Sequence, residues 1–250
     1  MSKFNPDQDK ALSTARVLVE LGHSRDSVLN NPLIPEGLRI WVAEQLDDEG
    51  NRTFERARVI AGAGEDENWL AGADRSDWYY WKTLRAYLLG VKRRSKDVVA
   101  SLDDASDQVL RRLKPPSTAE FDVRGLVLGY VQSGKTANFT ALIAKAVDAG
   151  YRLVVVFSGI DKGLRRQTQL RLNRELTGYP QNPAGAVRFP PVGKQWHQFT
   201  TDDLDGDFQP GRANAAALQG SQPVLIVVKK NGAVLSRLLK FATLSENFAS

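Results

Sequence analysis

In the second half of the chain, three short runs of consecutive apolar residues occur, at 126–128, 153–157 and 224–228. Runs of this length that are rich in valine, leucine and isoleucine are typical of strands buried on both faces of a parallel sheet. Between the first two runs, apolar residues recur at helical spacing, at Phe139, Leu142, Ile143 and Ala146. Gly150 supplies a stop for that helix. Strand, glycine-rich loop, helix and strand predict a parallel unit with a right-handed crossover.

The first 114 residues have a helical pattern and no convincing buried-strand run. Ser76 is the predicted N-cap of a helix that ends near Gly90. Trp78 and Trp81 fall on one stripe of that helix, a pattern more typical of core packing than of a base-stacking platform. Ser101 is predicted to open the next helix.

Two prolines at 115 and 116 break the helical pattern, and they predict the main boundary in the chain. The expected fold class is α/β. A helical N-terminal region at 1–116 precedes a P-loop region at 117–250, and a parallel sheet is expected only in the second.

Residues 159–176 predict a loop followed by a helix. Leucines at 164, 172 and 176, with Leu170 nearby, are expected to face a sheet, and Arg165, Arg166, Gln169 and Arg171 are expected on other faces. Segment 177–222 is rich in Gly, Pro, Asn and Asp, and a loop of that length is usually functional or contains further structure. After the third apolar run, Asn231 is the predicted cap of a last helix.

The loop between the first apolar run and its helix satisfies the G-x-x-x-x-G-K-[ST] phosphate-loop pattern, at Gly129, Gly134, Lys135 and Thr136. A helix N-terminus offers unpaired N–H groups to phosphate oxygens, and the backbone from Ser133 to Thr136 is placed to provide them. The Lys135 side chain is expected to reach the β- and γ-phosphates of ATP, and the Thr136 hydroxyl to ligate Mg²⁺. The alternative is an ordinary glycine-rich turn before a helix.

The composition limits the kinds of partner, metal site and location that are expected for this chain. The formal net charge is +5 and the isoelectric point is near 9.4, which favours an anionic partner such as nucleic acid. The chain has no cysteine, so disulfides and cysteine-based metal sites are excluded. No apolar run is long enough to span a membrane and the first residues lack a signal-peptide core, so a cytoplasmic location without membrane partners is expected.

Three stretches together resemble the bacterial endonuclease Z-one domain family: "GLVLGYVQSGKTANFTALIAKAVDAGYR", "GIDKGLRRQTQLR" and "VLIVVKKN". Members of that family resemble superfamily-two helicases in their RecA-like ATPase core and occur in anti-phage defence and restriction-type systems. The resemblance covers roughly residues 117–241. It implies ATP and Mg²⁺ as cofactors, DNA bound without sequence specificity as a partner, and other defence proteins as further partners.

The resemblance also implies roles for particular residues. Gln132 and Ser133 join Gly129, Gly134, Lys135 and Thr136 in the nucleotide loop, with Lys135 and Thr136 as catalytic residues. In helicase-like proteins, the element after the second core strand often lies along a nucleic-acid backbone. The resemblance therefore implies that the corresponding helix here contacts phosphates through Arg165, Gln167, Gln169 and Arg171. The alternative is that these side chains solvate and brace the helix. Lys229 and Lys230 lie at a strand's carboxyl end, the edge at which open α/β sheets bind ligands.

One departure from the family limits the expected activity. ATP hydrolysis of this kind needs an apolar strand that ends in an acidic residue, and neither the strand before Asp161 nor the one before Lys229 fits. Family members carry that motif further along, so we expect the sequence to be the N-terminal portion of a longer protein that binds nucleotide weakly and turns over little. No nuclease centre is evident, and the aspartates at 202, 203, 205 and 207 are interpreted as a solvated turn rather than a metal site.

The sequence therefore predicts a helicase-like, DNA-acting ATPase with a possible nuclease activity supplied elsewhere. A nucleotide-gated switch or scaffold that organises partner proteins without moving on DNA is the alternative. A small-molecule kinase ranks last, because no acceptor-site base is evident.

Overall fold

The computed structural model describes residues 5–21, 23–50, 69–92, 94–127, 135–178 and 190–246. The chain forms two compact units. The first contains residues 1–58 with 125–138, and the second contains residues 59–124 with 139–250.

The first unit is built on three helices, α1 (Pro6–Glu20), α2 (Arg25–Leu29) and α3 (Arg39–Gly50). α1 begins with a capping box, because the Gln8 N–H donates to Asn5 Oδ1 at 2.8 Å while the Asn5 N–H donates to Gln8 Oε1 at 3.2 Å. Its apolar side is covered by the other two helices, through a cluster of Ala11, Leu12, Ala15, Val28, Ile34, Val42 and Leu46. The unit therefore has its own small apolar core.

The second unit begins with two helices, α4 (Tyr79–Gly90) and α5 (Lys96–Leu110). α4 ends at Gly90 as the sequence predicts, but Ser76 does not cap it, because the helix begins three residues later. α5 begins five residues before the predicted Ser101, since the hydroxyl of Ser95 accepts from the Val98 N–H and caps the helix there. Trp78 and Trp81 are buried, so the prediction that they pack in the core is confirmed.

A three-stranded parallel sheet lies in the same unit. Its strands are β1 (Leu153–Phe157), β2 (His197–Gln198) and β3 (Val224–Val228), in the order β1-β3-β2. β1 and β3 pair over their full lengths, from Leu153 opposite Val224 to Phe157 opposite Val228. All five residues of β3 are buried, as the apolar run predicts for a central strand. Both strands have the predicted bounds, but the predicted burial of β1 is wrong, because its end residues Leu153 and Phe157 are each 48% exposed and its middle three are only half-buried.

Helices connect and flank the strands. α6 (Lys135–Asp148) precedes β1, α7 (Lys162–Leu172) follows it and continues into a π-helical turn at Asn173–Thr177, and α8 (Gly232–Glu246) follows β3. The predicted stop after α6 is confirmed, because Gly150 has a φ of +113°, which favours glycine. Asn231 caps α8 as predicted, since its Oδ1 accepts from the Ala233 N–H at 3.0 Å.

The buried side of α7 differs from the prediction. Leu164 is 37% exposed, whereas Arg165 and Gln169 are fully buried together with Leu172 and Leu176. Residues 165, 169, 172 and 176 form one helical stripe, so the helix turns a stripe that is half polar toward the interior. This orientation is stable because both polar side chains find partners there, which a count of apolar residues does not detect.

The strand predicted at 126–128 is not present in its described part. Residues 121–127 have no regular secondary structure, and Leu126 and Val127 are exposed. An extended segment needs a neighbouring strand to satisfy its backbone, and 126 and 127 pair with none among the described residues. Leu128 lies outside the described residues.

Segment 177–222 contains structure that the sequence did not predict: β2 and two 3₁₀ turns at Pro210–Arg212 and Ala215–Leu218. Phe199, Phe208 and Ala217 from this segment pack with Val224, Ile226 and Val228 of β3 and Val234 of α8 in one apolar cluster. The segment therefore completes the core on one face of the sheet.

The described chain is thus mixed helical with a small parallel sheet, and the α/β class is confirmed at that level. The predicted division at 116/117 stays a prediction, as does the RecA-like identity. No helix within the described ranges is both long enough and apolar enough to cross a membrane.

Candidate functional site at the carboxyl edge of the sheet

The phosphate-loop residues Gly129, Gln132, Ser133 and Gly134 lie outside the described residues. The described chain resumes at Lys135, which is the first residue of α6, so Lys135 and Thr136 lie in the first turn of a helix of 14 residues. Their side chains are outside the described part. The predicted loop therefore leads directly into a helix N-terminus, the end whose N–H groups point away from the helix and toward an anion.

The far end of α6 is held in the second unit by a buried lysine. Lys145 is fully buried, and its Nζ lies 2.5 Å from Asp103 Oδ1 and 2.6 Å from Asp107 Oδ1 of α5. The same ammonium lies 4.6 Å from the centroid of the Trp81 ring of α4. Asp107 also pairs with Arg75 at 2.8 Å. This cluster is not predictable from the sequence, because a lysine within an apolar helical stripe gives no signal of its partners.

A second anchor is the carboxylate of Asp148, the last residue of α6. It accepts three backbone N–H groups at the start of α4, from Tyr79 at 2.7 Å, Tyr80 at 3.0 Å and Trp81 at 2.7 Å. A carboxylate from another helix thus caps the N-terminus of α4, the role predicted for Ser76. Burial raises the pKa of Asp148 above its ordinary 3.8, although the three N–H donors act to lower it.

Tyr80 connects this anchor to the segment before β2. Its hydroxyl donates to the Lys194 carbonyl at 3.0 Å, and its ring makes an edge contact with Trp196 at a centroid distance of 5.4 Å. Burial raises the pKa of the Tyr80 phenol far above its ordinary value, and the nearby Asp148 charge adds to the effect. Trp196 is buried and His197 belongs to β2, so the structure uses both residues for packing and strand formation.

The carboxyl ends of β1 and β3 meet at one edge of the sheet. Ser158 and Lys229 follow the last paired residues of the two strands, and the Ser158 N–H donates to the Val228 carbonyl at 2.9 Å. The Lys230 N–H donates to the Gly159 carbonyl at 2.5 Å. Of the predicted lysines, Lys230 is exposed, whereas the side chain of Lys229 is 20% exposed and lies 3.7 Å from Asp207.

The carboxylate of Asp161 at this edge is engaged through one of its oxygens. Its Oδ1 accepts from the Gly163 N–H at 2.6 Å and the Leu164 N–H at 3.1 Å, which makes it the N-cap of α7. Asp161 lies four residues after the end of β1, so the strand itself does not end in an acidic residue, as the sequence predicts.

The arginine predicted to contact nucleic acid at 165 is engaged inside the protein. Its Nη1 donates to the Thr201 carbonyl at 2.9 Å, and its Nη2 donates to the Asp203 carbonyl. Burial lowers the pKa of this guanidinium, and the nearby charges of Asp207, Asp202 and Asp203 raise it. In this conformation Arg165 braces the fold, which is the alternative that the sequence left open.

Gln169 is the centre of a second buried arrangement. Its Nε2 donates to Asn173 Oδ1 at 3.0 Å and to Gln198 Oε1 at 2.8 Å, and its Oε1 accepts from the Thr200 hydroxyl at 2.7 Å. Thr200 Oγ1 in turn accepts from the Val227 N–H of β3 at 2.9 Å. The amide group of Gln169 is therefore fully used in holding α7, the π turn and the strands together.

Arg171 is also buried, and its Nε lies 3.3 Å from Glu175 Oε1 in the π turn. Gln167 is half-buried on another side of α7. The four predicted nucleic-acid contacts of α7 are thus not brought together on one exposed surface, and their binding role stays a prediction.

The aspartate-rich segment forms a tight turn against α7. The Thr201 N–H donates to the Gly206 carbonyl at 2.9 Å, and the Gly206 N–H donates to the Asp203 carbonyl at 3.0 Å. Lys162 pairs with Asp205, and this contact lowers the pKa of the Asp205 carboxyl. Among the described residues, no group of three or more His, Asp or Glu side chains is arranged to hold a metal ion.

Comparisons with protein-family models, curated proteins and solved structures found no match to this chain. The resemblance to the Z-one domain family therefore rests on the three sequence stretches alone, and the functions it implies are proposals.

Proposed function

We propose that this chain binds the phosphates of ATP, with Mg²⁺, through residues 129–136, and that it belongs to a helicase-like protein that acts on nucleic acid. The observation that supports it best is the position of the phosphate-loop pattern. Its last two residues, Lys135 and Thr136, are the first two residues of α6, and α6 leads to a strand paired in parallel with its neighbour. A helix N-terminus after a glycine-rich loop is the arrangement that binds phosphate in P-loop proteins.

The roles within the site follow from that position. Backbone N–H groups of 133–136 bind the β-phosphate, the Lys135 ammonium neutralises the β- and γ-phosphates, and the Thr136 hydroxyl is the protein ligand for Mg²⁺. Held by Thr136, Mg²⁺ would supply positive charge that neutralises the phosphates. Within the second unit, Lys145 and Asp148 fix the last turns of α6 to α5 and α4.

Hydrolysis needs a carboxylate that holds the metal and positions water. The two long strands end at Phe157 and Val228 and are followed by Ser158 and Lys229, and Oδ1 of the nearby Asp161 caps α7. We therefore propose that this chain binds ATP with little turnover, and robust Lys135-dependent ATPase activity would contradict that part of the proposal.

A series of adenosine nucleotides tests the phosphate-binding role. Because the loop binds the β-phosphate, ATP and ADP should bind at least about tenfold more tightly than AMP in an equilibrium titration with Mg²⁺. Equal affinities for the three nucleotides would show that the adenosine is recognised and the phosphates are not.

A nucleotide-gated switch or scaffold is the second candidate, and the burial of α7 favours it. Arg165, Gln169 and Arg171 are engaged inside the protein in this conformation, so contact with nucleic acid through them requires a rearrangement. Binding to DNA that weakens steeply with salt favours the nucleic-acid role over the scaffold, because the slope counts the phosphates neutralised.

A further inference from the structure

An acidic turn covers the basic end of α7. The turn, residues 201–207, carries four aspartates in six positions, at 202, 203, 205 and 207. Four cationic side chains meet it from α7 and from the end of β3, namely Lys162, Arg165, Arg166 and Lys229. Each of the four contacts either a carboxylate or a backbone carbonyl of the turn. Two of these contacts join opposite charges, Lys162 with Asp205 and Lys229 with Asp207, and the two arginines contact backbone carbonyls.

The four cationic side chains differ in how deeply they are buried. Arg165 is fully buried and donates to two carbonyls of the turn, so it fixes the turn's position. Arg166 Nε donates to the Asp202 carbonyl at 2.8 Å, from a half-buried side chain. Lys162 and Asp205 form a pair at the surface, with side chains 54% and 82% exposed. The outer part of the contact is therefore accessible to a competing anion.

The turn is closed within itself and does not depend on those outer contacts. The Thr201 hydroxyl donates to Asp203 Oδ2 at 2.9 Å, and Gly206 packs so closely that an added Cβ would lie 2.5 Å from the Thr201 carbonyl oxygen. Neutralising the outer carboxylates should thus leave the shape of the turn intact.

Two polar atoms at this contact have no hydrogen-bond partner among the described residues, a donor, Arg165 Nε of the fully buried side chain, and an acceptor, Asp207 Oδ2. The Lys229 ammonium lies 3.7 Å from Asp207 Oδ2, which is longer than a hydrogen bond. The turn therefore leaves the Lys229 ammonium without a hydrogen bond to Asp207, and this donor remains for a ligand rich in acceptor oxygens.

We propose that the acidic turn occupies this basic surface in place of nucleic-acid phosphates, so that Lys162, Arg166 and Lys229 exchange the turn for phosphates when nucleic acid binds. This inference rests on the nucleic-acid part of the proposed function and adds a regulatory contact to it. The binding surface is the N-terminal end of α7 with the end of β3, rather than the buried middle of α7. Lys230, the next residue after Lys229, is exposed.

The physical basis is competition between two sets of negative charges. Carboxylates close to a cation reduce the potential that attracts a polyanion, and the reduction acts over about 10 Å at 0.1 M salt. Removing carboxylates from the turn should therefore strengthen nucleic-acid binding most at low salt.

The test is the double variant Asp202→Asn/Asp205→Asn, in fluorescence titrations with single-stranded and duplex DNA of mixed sequence. Neither side chain takes part in the hydrogen bonds that close the turn. At about 50 mM salt the variant should bind DNA about three- to tenfold more tightly than the wild type, with the gain falling toward onefold as salt increases. Circular dichroism checks that the fold is unchanged.

A matched control has the same change of net charge elsewhere. Asp104 and Asp122 are exposed aspartates that also have polar partners, Gln108 and Arg124. Asp104→Asn/Asp122→Asn should increase DNA affinity less than twofold. Equal gains in the two double variants would overturn the inference, because they would show a general charge effect.

A third variant tests which cation binds. Adding Lys162→Met to Asp202→Asn/Asp205→Asn should remove at least half of the gain, and a gain that survives intact would overturn the exchange. If no variant binds DNA even at about 50 mM salt, the inference fails as well. The adenosine nucleotide series separates this outcome from failure of the nucleotide site, since nucleotide affinity should be the same in all of these variants.

Discussion

Replacing Lys145 with methionine is the change that most directly tests how α6 is held. Methionine keeps most of the side-chain volume, but it removes the ammonium that bonds to Asp103 and Asp107 and lies over the Trp81 ring. Two carboxylates then face each other without the charge between them. The free energy of unfolding should fall as a result.

The size of the loss follows from the exposure of the partners. Removing one member of a fully buried pair costs about 3–5 kcal/mol, because the other charge is left uncompensated. Here Asp103 is 38% exposed and regains water, and Asp107 keeps its pair with Arg75, so a loss of about 2–3 kcal/mol is expected. For a chain of this size, each kcal/mol lowers the Tm by about 2–4 °C, which gives a decrease of about 4–12 °C.

Thermal unfolding followed by circular dichroism measures this decrease. Lys162→Met is the matched control, because the Lys162–Asp205 pair is exposed and a surface pair contributes less than about 1 kcal/mol. Adding Asp103→Asn to Lys145→Met should recover part of the stability by removing one stranded charge. If Lys145→Met lowers the Tm no more than the control does, the argument that a buried cation fixes α6 is refuted.

Three further substitutions test local features, each by chemical denaturation. Asp148→Asn should cost about 1–2 kcal/mol, because an amide nitrogen would face the Trp81 N–H in place of Oδ2. Since the folded pKa of Asp148 is raised, its ionisation costs stability at neutral pH and that cost disappears as the pH falls toward 3.8. The difference in free energy of unfolding between the wild type and Asp148→Asn should therefore increase as the pH falls. A difference that decreases in acid would contradict a raised pKa. Gly206→Ala should destabilise by at least about 2 kcal/mol, because a Cβ would lie 2.3 Å from Thr201 Oγ1. The control Gly211→Ala should be nearly neutral, because no atom lies within 4 Å of its added Cβ. Equal effects of the two substitutions would contradict the packing of the turn. Asn231→Ala should cost about 1 kcal/mol through loss of the α8 cap, and an unchanged midpoint would rule out that role.

The elements with the strongest local signals could be predicted from the sequence. β1 and β3 are continuous apolar runs bounded by polar residues, and Gly150 and Asn231 act within a few residues of the helix ends that they mark. Such signals depend on neighbouring residues alone, so one sequence is enough to read them.

The features that were missed depend on residues far apart in the chain. The cap of α4 comes from Asp148, about 70 positions away, and Lys145 meets carboxylates about 40 positions before it. The side of α7 that is buried is likewise set by Thr201, Asp203 and Gln198, whose positions no helical periodicity encodes. A polar side chain is buried where its partners are, and the sequence does not show where they will be.

The features of the candidate site likewise include some that could be predicted from the sequence and some that could not. The phosphate-loop pattern is local, and the helix that begins at Lys135 agrees with it. The cations at the carboxyl edge were only partly predicted, because Lys229 and Arg165 could be named from the sequence but the acidic turn against them could not. Four aspartates in a turn look solvated until the basic side chains that face them are known.

The central claim is that residues 129–136 bind nucleotide phosphates. Isothermal titration with a non-hydrolysable ATP analogue and Mg²⁺, for the wild type beside Lys135→Ala, tests it most directly. We expect measurable binding to the wild type that Lys135→Ala weakens at least about tenfold, because the lysine neutralises the β- and γ-phosphates. Unfolding curves should show that the variant is folded. Binding of equal strength to both proteins, or no binding to either, would contradict the claim.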